Sequence, residues 1–460
     1  MWHALRARRG RVTAADFIPP RPALASGYPS LGRALHASVR DILSLFPESG
    51  FDRRLIPFRT LARRVLVVNE PELIRQVFIG GHAQYGAKSQ HFQQALVPVI
   101  GDSMFLNSGA VWATRREVMA RMLHPSRTGQ FHPLFTRGAE ELAESWSGEV
   151  DVAPGFAAAT ALAVMRALFG PDEPPEAAAR LARAFATYES SVLAVDFAHV
   201  IGLPRAISGW QRRAAHRAAS EVRAICAERI AAAGDTPGGL FAELRAACAA
   251  DGAPLLDATQ LVNEVATLLL AGSETSANAL TWAFYLVARH PPTLARLRQE
   301  HAQVLGGRTP EAEDLPALPF TRAVIQEAMR LFPPVPYLSR QAAEPGQVAH
   351  AAVGRGDTVM AITWLLHRKG ELWDAPHAFR PERFLPDAPR KPPRFGYLPF
   401  SLGPRVCAGA AFAMAEMTVF LATLLQRLDV SVDPGFVPVP GARLTLRPQN
   451  GMRLKFTRRG

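Results

Sequence analysis

A helical pattern running without a break from residue 257 to residue 290, and closed by Pro291 and Pro292, sets the scale of what this chain can fold into. Proline lacks the amide hydrogen that the next turn needs and its ring clashes with the turn before, so the pair ends the helix. At 1.5 Å per residue the pattern spans roughly 50 Å. Around it, residues 176–189, 209–233, 320–332 and 410–428 read as amphipathic or buried helices, with apolar positions at three and four spacing. Strand signals are few: residues 55–68, 347–362, and a hairpin over 444–456 turning at Pro448, Asn450 and Gly451. The expectation is a mainly α fold, a large helical body with a small β-rich region, forming a single domain over 1–460 with residues 1–29 loosely ordered.

The bulk numbers exclude several classes. With 48% hydrophobic and 20% charged residues the chain has the make-up of a soluble globular protein. No membrane span is expected, and the basic, proline-broken start lacks the apolar core of a signal peptide, which points to the cytoplasm. The net charge of +12 is carried almost wholly by arginine, lysine occurring only at Lys88, Lys369, Lys391 and Lys455. That is the mark of a coding bias as much as of an acidic partner. No compact basic tract with interleaved aromatics appears, so no nucleic acid is expected as a partner.

Three cysteines, Cys226, Cys248 and Cys407, form no Cys-x-x-Cys spacing and suit neither a disulfide framework nor a zinc site. Cys226 and Cys248 lie in alanine-rich helical sequence and read as buried fillers. Cys407 stands instead in Phe400-Ser-Leu-Gly403-Pro-Arg405-Val-Cys407-Ala-Gly409, a turn running into a helix. Free amides and the helix dipole at such a position favour thiolate. A thiolate there can ligate haem iron. Gly403 and Gly409 would let backbone pass a flat ligand, Phe400 would shield the sulfur, and Arg405 would pair with a propionate.

The spacing Phe-x-x-Gly-x-Arg-x-Cys-x-Gly resembles the cysteine-ligand signature of the cytochrome P450 superfamily, and the other motifs of that family follow in order. Glu327 and Arg330 match its Glu-x-x-Arg pair, and Arg383 in FRPERF its third, cluster-completing arginine. Ala271-Gly272-Ser273-Glu274-Thr275 resembles its oxygen-activating groove, with Ala271 and Thr275 on one helix face, Gly272 removing bulk and the Thr275 hydroxyl free to bond the carbonyl four residues back. Trp112 and Arg116 resemble its Trp-x-x-x-Arg propionate grip. The family usually closes that helix with proline about nine residues past the tryptophan; here Pro125 lies thirteen beyond, leaving Arg115 as an alternative to Arg116. Arg340 falls where the family has another propionate partner.

The resemblance implies a soluble bacterial-type fold with haem b between the long central helix and the cysteine-ligand loop. It implies a monooxygenase that inserts one atom of O2 into an apolar small molecule, with Cys407 as axial ligand and Glu274 and Thr275 as proton relay. Electrons would come from a ferredoxin or flavodoxin with its reductase, and a monomer is expected. A peroxide-driven peroxygenase or a non-catalytic haem or lipid carrier are the rival readings, and the acid and threonine of the central helix argue against both. The family's pocket stretches carry Phe92, Leu96, Val97, Val99, Met104, Phe105, Phe197, Val335, Tyr337, Leu338 and Leu444 in this chain, an apolar set.

Overall fold

The computed structural model describes residues 16–22, 24, 27, 41–59, 64–192, 209–234, 239–247 and 252–459. The longer helices are α1 (Gln90–Ile100), α2 (Gly109–Met122), α3 (His132–Ser145), α4 (Val152–Phe169), α5 (Pro175–Ser191), α6 (Gly209–Ala233), α7 (Gly239–Arg245), α8 (Ala258–Arg289), α9 (Pro291–Leu305), α10 (Pro319–Leu331) and α11 (Ala410–Arg427). The long central pattern is α8, and both its ends have local causes. Asp257 caps the start reciprocally: its carboxylate accepts from the Gln260 amide at 2.7 Å, and its own N–H donates to the Gln260 side chain at 3.0 Å. Its end coincides with the two prolines, which then open α9, where their missing amides cost nothing.

Most of α8 is buried, with Val265, Leu269, Leu280, Trp282 and Phe284 fully enclosed. Its main neighbour is α4, and α1, α6, α10 and α11 pack around it as well. By length and composition α4 could cross a bilayer, which the sequence reading had not anticipated; here it is a core helix, with Phe156, Ala161 and Met165 fully buried. The segments 176–189, 209–233, 320–332 and 410–428 all appear as helices within a residue or two of expectation.

Eleven short strands lie among the described residues. A four-stranded sheet has the order β1 (Leu55–Arg59), β2 (Arg64–Val68), β7 (Thr358–Ala361), β4 (Leu338–Gln341), with β2 and β7 parallel. β3 (Gly148–Asp151), β11 (Arg453–Arg458) and β8 (Leu428–Ser431) form a second sheet. β5 (Gly346–Val348) pairs with β6 (Ala351–Val353), and β9 (Pro440–Ala442) with β10 (Leu446–Pro448).

The hairpin expected over 444–456 is therefore corrected: β10 and β11 belong to different sheets. Asn450 does not turn one strand back on the other. Its side chain accepts from the Val439 amide at 2.8 Å and donates to the Val437 carbonyl at 3.1 Å, while Gln449 N–H bonds Val439 at 2.8 Å. These bonds tie the turn to β9, and Gly451, at φ +74°, redirects the chain toward Asp151 and β3.

Candidate functional site

Fully buried core helices rarely leave an open stripe, yet α8 does so at its middle. Ala271 is exposed, and Leu268, Gly272 and Thr275 are partly so, although the turns on either side are closed. The four positions are spaced i, i+3, i+4, i+7, one face of a helix. The Thr275 hydroxyl donates to the Ala271 carbonyl at 2.7 Å, as the spacing suggests. A Cβ on Gly272 would lie 2.8 Å from Val164, so the glycine also lets α4 approach.

Cys407 lies in the turn before α11. Its N–H donates to the Phe400 carbonyl at 2.9 Å, closing the loop, and its sulfur accepts a hydrogen bond from the Gly409 amide. The side chain is exposed yet surrounded by protein, as for a group facing an interior space. Burial pushes the thiol up, outweighing the Gly409 amide and the nearby Arg116 charge that favour thiolate. A bound cation would favour the thiolate further. Gly403, at φ +67°, is needed because a Cβ would strike the Phe78 carbonyl at 2.5 Å, so its constraint is this chain's own backbone. A Cβ on Gly409 would meet nothing within 4 Å. Phe400 is half-buried against the core.

Beneath the loop, the expected ion cluster forms. Glu327 and Arg330, both fully buried, make two hydrogen bonds of 2.6 and 2.8 Å, and Arg383 approaches Glu327 at 3.4 Å. Arg330 also donates to the carbonyls of His367, Pro376 and Ala378. The His367 ring accepts from the Leu398 amide at 2.8 Å, two residues before Phe400, and burial lowers its pKa to about 3. His367 thus links the cluster to the ligand loop, a role that no spacing in the sequence revealed.

A second set of cations has no such partners. Arg405 stacks over Trp112 at 4.5 Å and donates to the carbonyls of Phe105 and Asn107, leaving its Nε buried and unpaired. Arg340, on β4, is buried, donates to the Ser339 carbonyl at 2.9 Å and lies over Phe78. Burial pushes both guanidinium groups down to about 10, Arg405 further disfavoured by Arg340 and Arg116. Arg116 donates to the Val406 carbonyl at 2.7 Å beside the cysteine. Lys88, which the sequence reading did not single out, is buried over the Phe105 ring at 4.0 Å, and burial with Arg340 and Arg405 holds its pKa well below the usual range. No carboxylate among the described residues offsets these four cations. Arg115 points elsewhere, to Glu264 at 3.3 Å and the Asp102 carbonyl at 2.8 Å.

Glu274 turns away from the open stripe, toward Glu189 of α5 and Asn278. On α11, Glu416 is fully buried facing Ser276, and burial pushes it up to about 8. Of the expected pocket residues, Phe92 packs against Phe105 and Tyr337, whereas Val97 is 49% exposed and points outward; Phe197, like the expected filler Cys248, lies outside the described residues. Cys226 is a buried filler, as expected.

A haem answers both demands, bringing an iron for the thiolate and two carboxylates for cations that lack anions, so the residues present define a haem-thiolate class. The chain belongs to the cytochrome P450 family, whose profile matches residues 54–456. It is 29% identical to cyclooctatin synthase of Streptomyces melanosporofaciens over 430 residues, 92% of this chain and 91% of that protein. Pentalenene oxygenase of Streptomyces avermitilis is 36% identical over 220 residues, 48% of this chain and 49% of that one. Among solved structures, retinoic acid-bound cyanobacterial CYP120A1 superposes with a TM-score of 0.76 at 25% identity, covering 88% of this chain and 92% of that one. The chain is a cytochrome P450 monooxygenase.

Proposed function

We propose that the enzyme hydroxylates or epoxidises an apolar, carbon-rich small molecule of terpenoid character, drawing electrons from a ferredoxin or flavodoxin with its reductase. Haem b, ligated by Cys407, would supply O2 activation. The reading rests chiefly on the open stripe of Leu268, Ala271, Gly272 and Thr275 on an otherwise buried helix. Such a stripe gives a substrate apolar contact beside one hydroxyl. Pentalenene and retinoic acid, named for the relatives, are molecules of that chemistry.

The protein's own residues would do four things. Arg405, Arg340, Arg116 and Lys88 would hold the propionates by charge-assisted hydrogen bonds, with Trp112 keeping Arg405 in place by stacking. His367 and the Glu327–Arg330–Arg383 cluster would fix the ligand loop. Phe92, Phe105 and Tyr337 would exclude water from one wall of the pocket. Thr275 and Glu274 would pass protons inward, the threonine from the open face and the acid from the next.

Three experiments test this. A screen of terpenoids against the haem-loaded protein is expected to give low-to-high-spin shifts; a panel without any would overturn the apolar-pocket reading. Cys407→Ala is expected to abolish the thiolate form of the reduced, CO-bound spectrum. Thr275→Ala is expected to keep haem and cut product formed per electron by about a hundredfold, the lower end of the usual worth of a positioned proton donor; unchanged coupling would place the relay elsewhere.

A further inference from the structure

On the face of α8 that bears Glu274, about 100° round from Thr275, a groove of about 780 Å³ opens between α4, α5, α8 and the β9–β10 pair. Glu274, Asn278, Glu189, Thr445 and Arg447 all line it. The polar groups are chained together. The Asn278 amide donates to Glu274 at 3.0 Å and to the Thr445 hydroxyl at 3.3 Å, and Thr445 donates to Glu189 at 2.9 Å. Arg447 sits 3.1 Å from Glu189. Glu274 and Glu189 are thus joined through this chain, and the Glu189 charge acts on Glu274.

Two buried carboxylates held this close on one polar chain do not both ionise readily, because each negative charge disfavours the other. The surrounding charges leave room for one. Arg447 offsets one of the two negative charges, while Arg443 is turned onto the backbone carbonyls of Glu189 and Ser190. Arg183 and Asp151 line the groove farther along, one of each sign. Burial and the Glu189 charge raise the Glu274 pKa above the ordinary carboxyl range, against the pull of Arg447 and Asn278. Arg447 and the Thr445 hydroxyl both face Glu189, which favours the negative charge there and leaves the one proton to Glu274.

We propose that Glu189 and Glu274 share a single proton and that Glu189 is a positioning residue, holding Glu274 loaded as an acid at the floor of a groove from which it is recharged. The inference rests on the reading of Glu274 and Thr275 as the proton relay and names the residue that sets its supply. In each cycle the Glu274 O–H bond breaks as the proton moves to the Thr275 side, and a proton from groove solvent re-forms it. No oxidant or reductant beyond those of the monooxygenase reaction is involved.

The haem-loaded protein and its Glu274→Gln, Glu189→Gln and Arg447→Gln variants decide the matter with two readouts. Infrared difference spectra in H2O and D2O across pH follow the protonated carboxyl band that Glu274→Gln removes. Removing the Glu189 charge is expected to move its titration down by about one pH unit, and removing Arg447 to move it up, since a nearby charge of either sign biases protonation by about that much. The pH profile of NADPH oxidation through a surrogate ferredoxin and reductase is expected to shift in the same opposite directions, a pattern that general loosening of the fold cannot produce. A band unmoved by Glu189→Gln, or moved the same way by both variants, overturns the proposal. If Glu189→Gln does not fold, the absence of an alkaline shift in Arg447→Gln overturns it equally. Infrared shifts as expected, with an NADPH profile that even Glu274→Gln leaves unchanged, overturn the relay reading and leave the shared proton standing.

Discussion

Two arginine clusters flank the ligand loop, and they differ in how their charge is met. Around Glu327, Arg330 and Arg383 nearly every donor has an internal acceptor, a carboxylate or one of the carbonyls of His367, Asp374, Ala375, Pro376 and Ala378. Around Arg340, Arg405, Arg116 and Lys88 the donors reach only carbonyls and aromatic faces, and the cations raise one another's cost. Burying a charge without a counter-charge costs several kcal/mol, so the first arrangement serves the fold while the second is one that a bound anion would relieve. The difference separates structural from binding arginines without appeal to their exposure, since both sets are largely buried.

The contrast breaks most sharply at the satisfied cluster. Glu327→Ala strands two arginines in the interior and is expected to cost about 3 to 5 kcal/mol of stability, read as the midpoint of denaturant unfolding of the haem-loaded protein. A loss under about 1 kcal/mol, the worth of an exposed pair, would mean the cluster is no more structural than a surface contact.

A buried acid without a cation gives an intermediate effect. Glu416 has its folded pKa raised from the usual carboxyl value to about 8 by burial. For a group shifted in that direction the stabilising contribution is present below the unfolded pKa and disappears as pH rises through the folded one. The wild-type protein is therefore expected to lose stability between about pH 4.5 and pH 8, with Glu416 supplying a few kcal/mol of that loss. Glu416→Gln, which cannot ionise, should remove that part of the slope. Parallel pH curves for the two proteins would show that Glu416 is ionised when folded.

How much of this was legible in the sequence follows from the range over which each feature is determined. The ends of α8 were readable because their causes, Asp257 with Gln260 and the two prolines, lie within a few residues. The cysteine turn and the pairing of Glu327 with Arg330 were readable for the same reason. Partners distant in sequence were not. Gly272 is small because of Val164, Gly403 because of Phe78, and β11 leaves β10 for β3 because Asn450 and Asp151 take the bonds a hairpin would use. His367, Lys88, Glu189 and Glu416 carry no motif, and only the packing of remote elements gives each its setting.

The smallest expected effect is the sharpest test of the comparison. Arg405→Ala removes one member of the unmet cluster and relieves repulsion on Arg340 and Lys88, so unfolding should shift little. Haem retention should suffer instead, because a charge-assisted bond to a propionate is lost. Transfer of haem to an acceptor apoprotein is expected to speed up roughly tenfold, which corresponds to about 1.4 kcal/mol. Arg383→Ala should show the reverse, a lower unfolding midpoint with little change in haem transfer, since its guanidinium serves Glu327 and two carbonyls of the loop before it. Equal effects of the two substitutions on both measurements would erase the distinction between an arginine placed for the fold and one placed for the ligand.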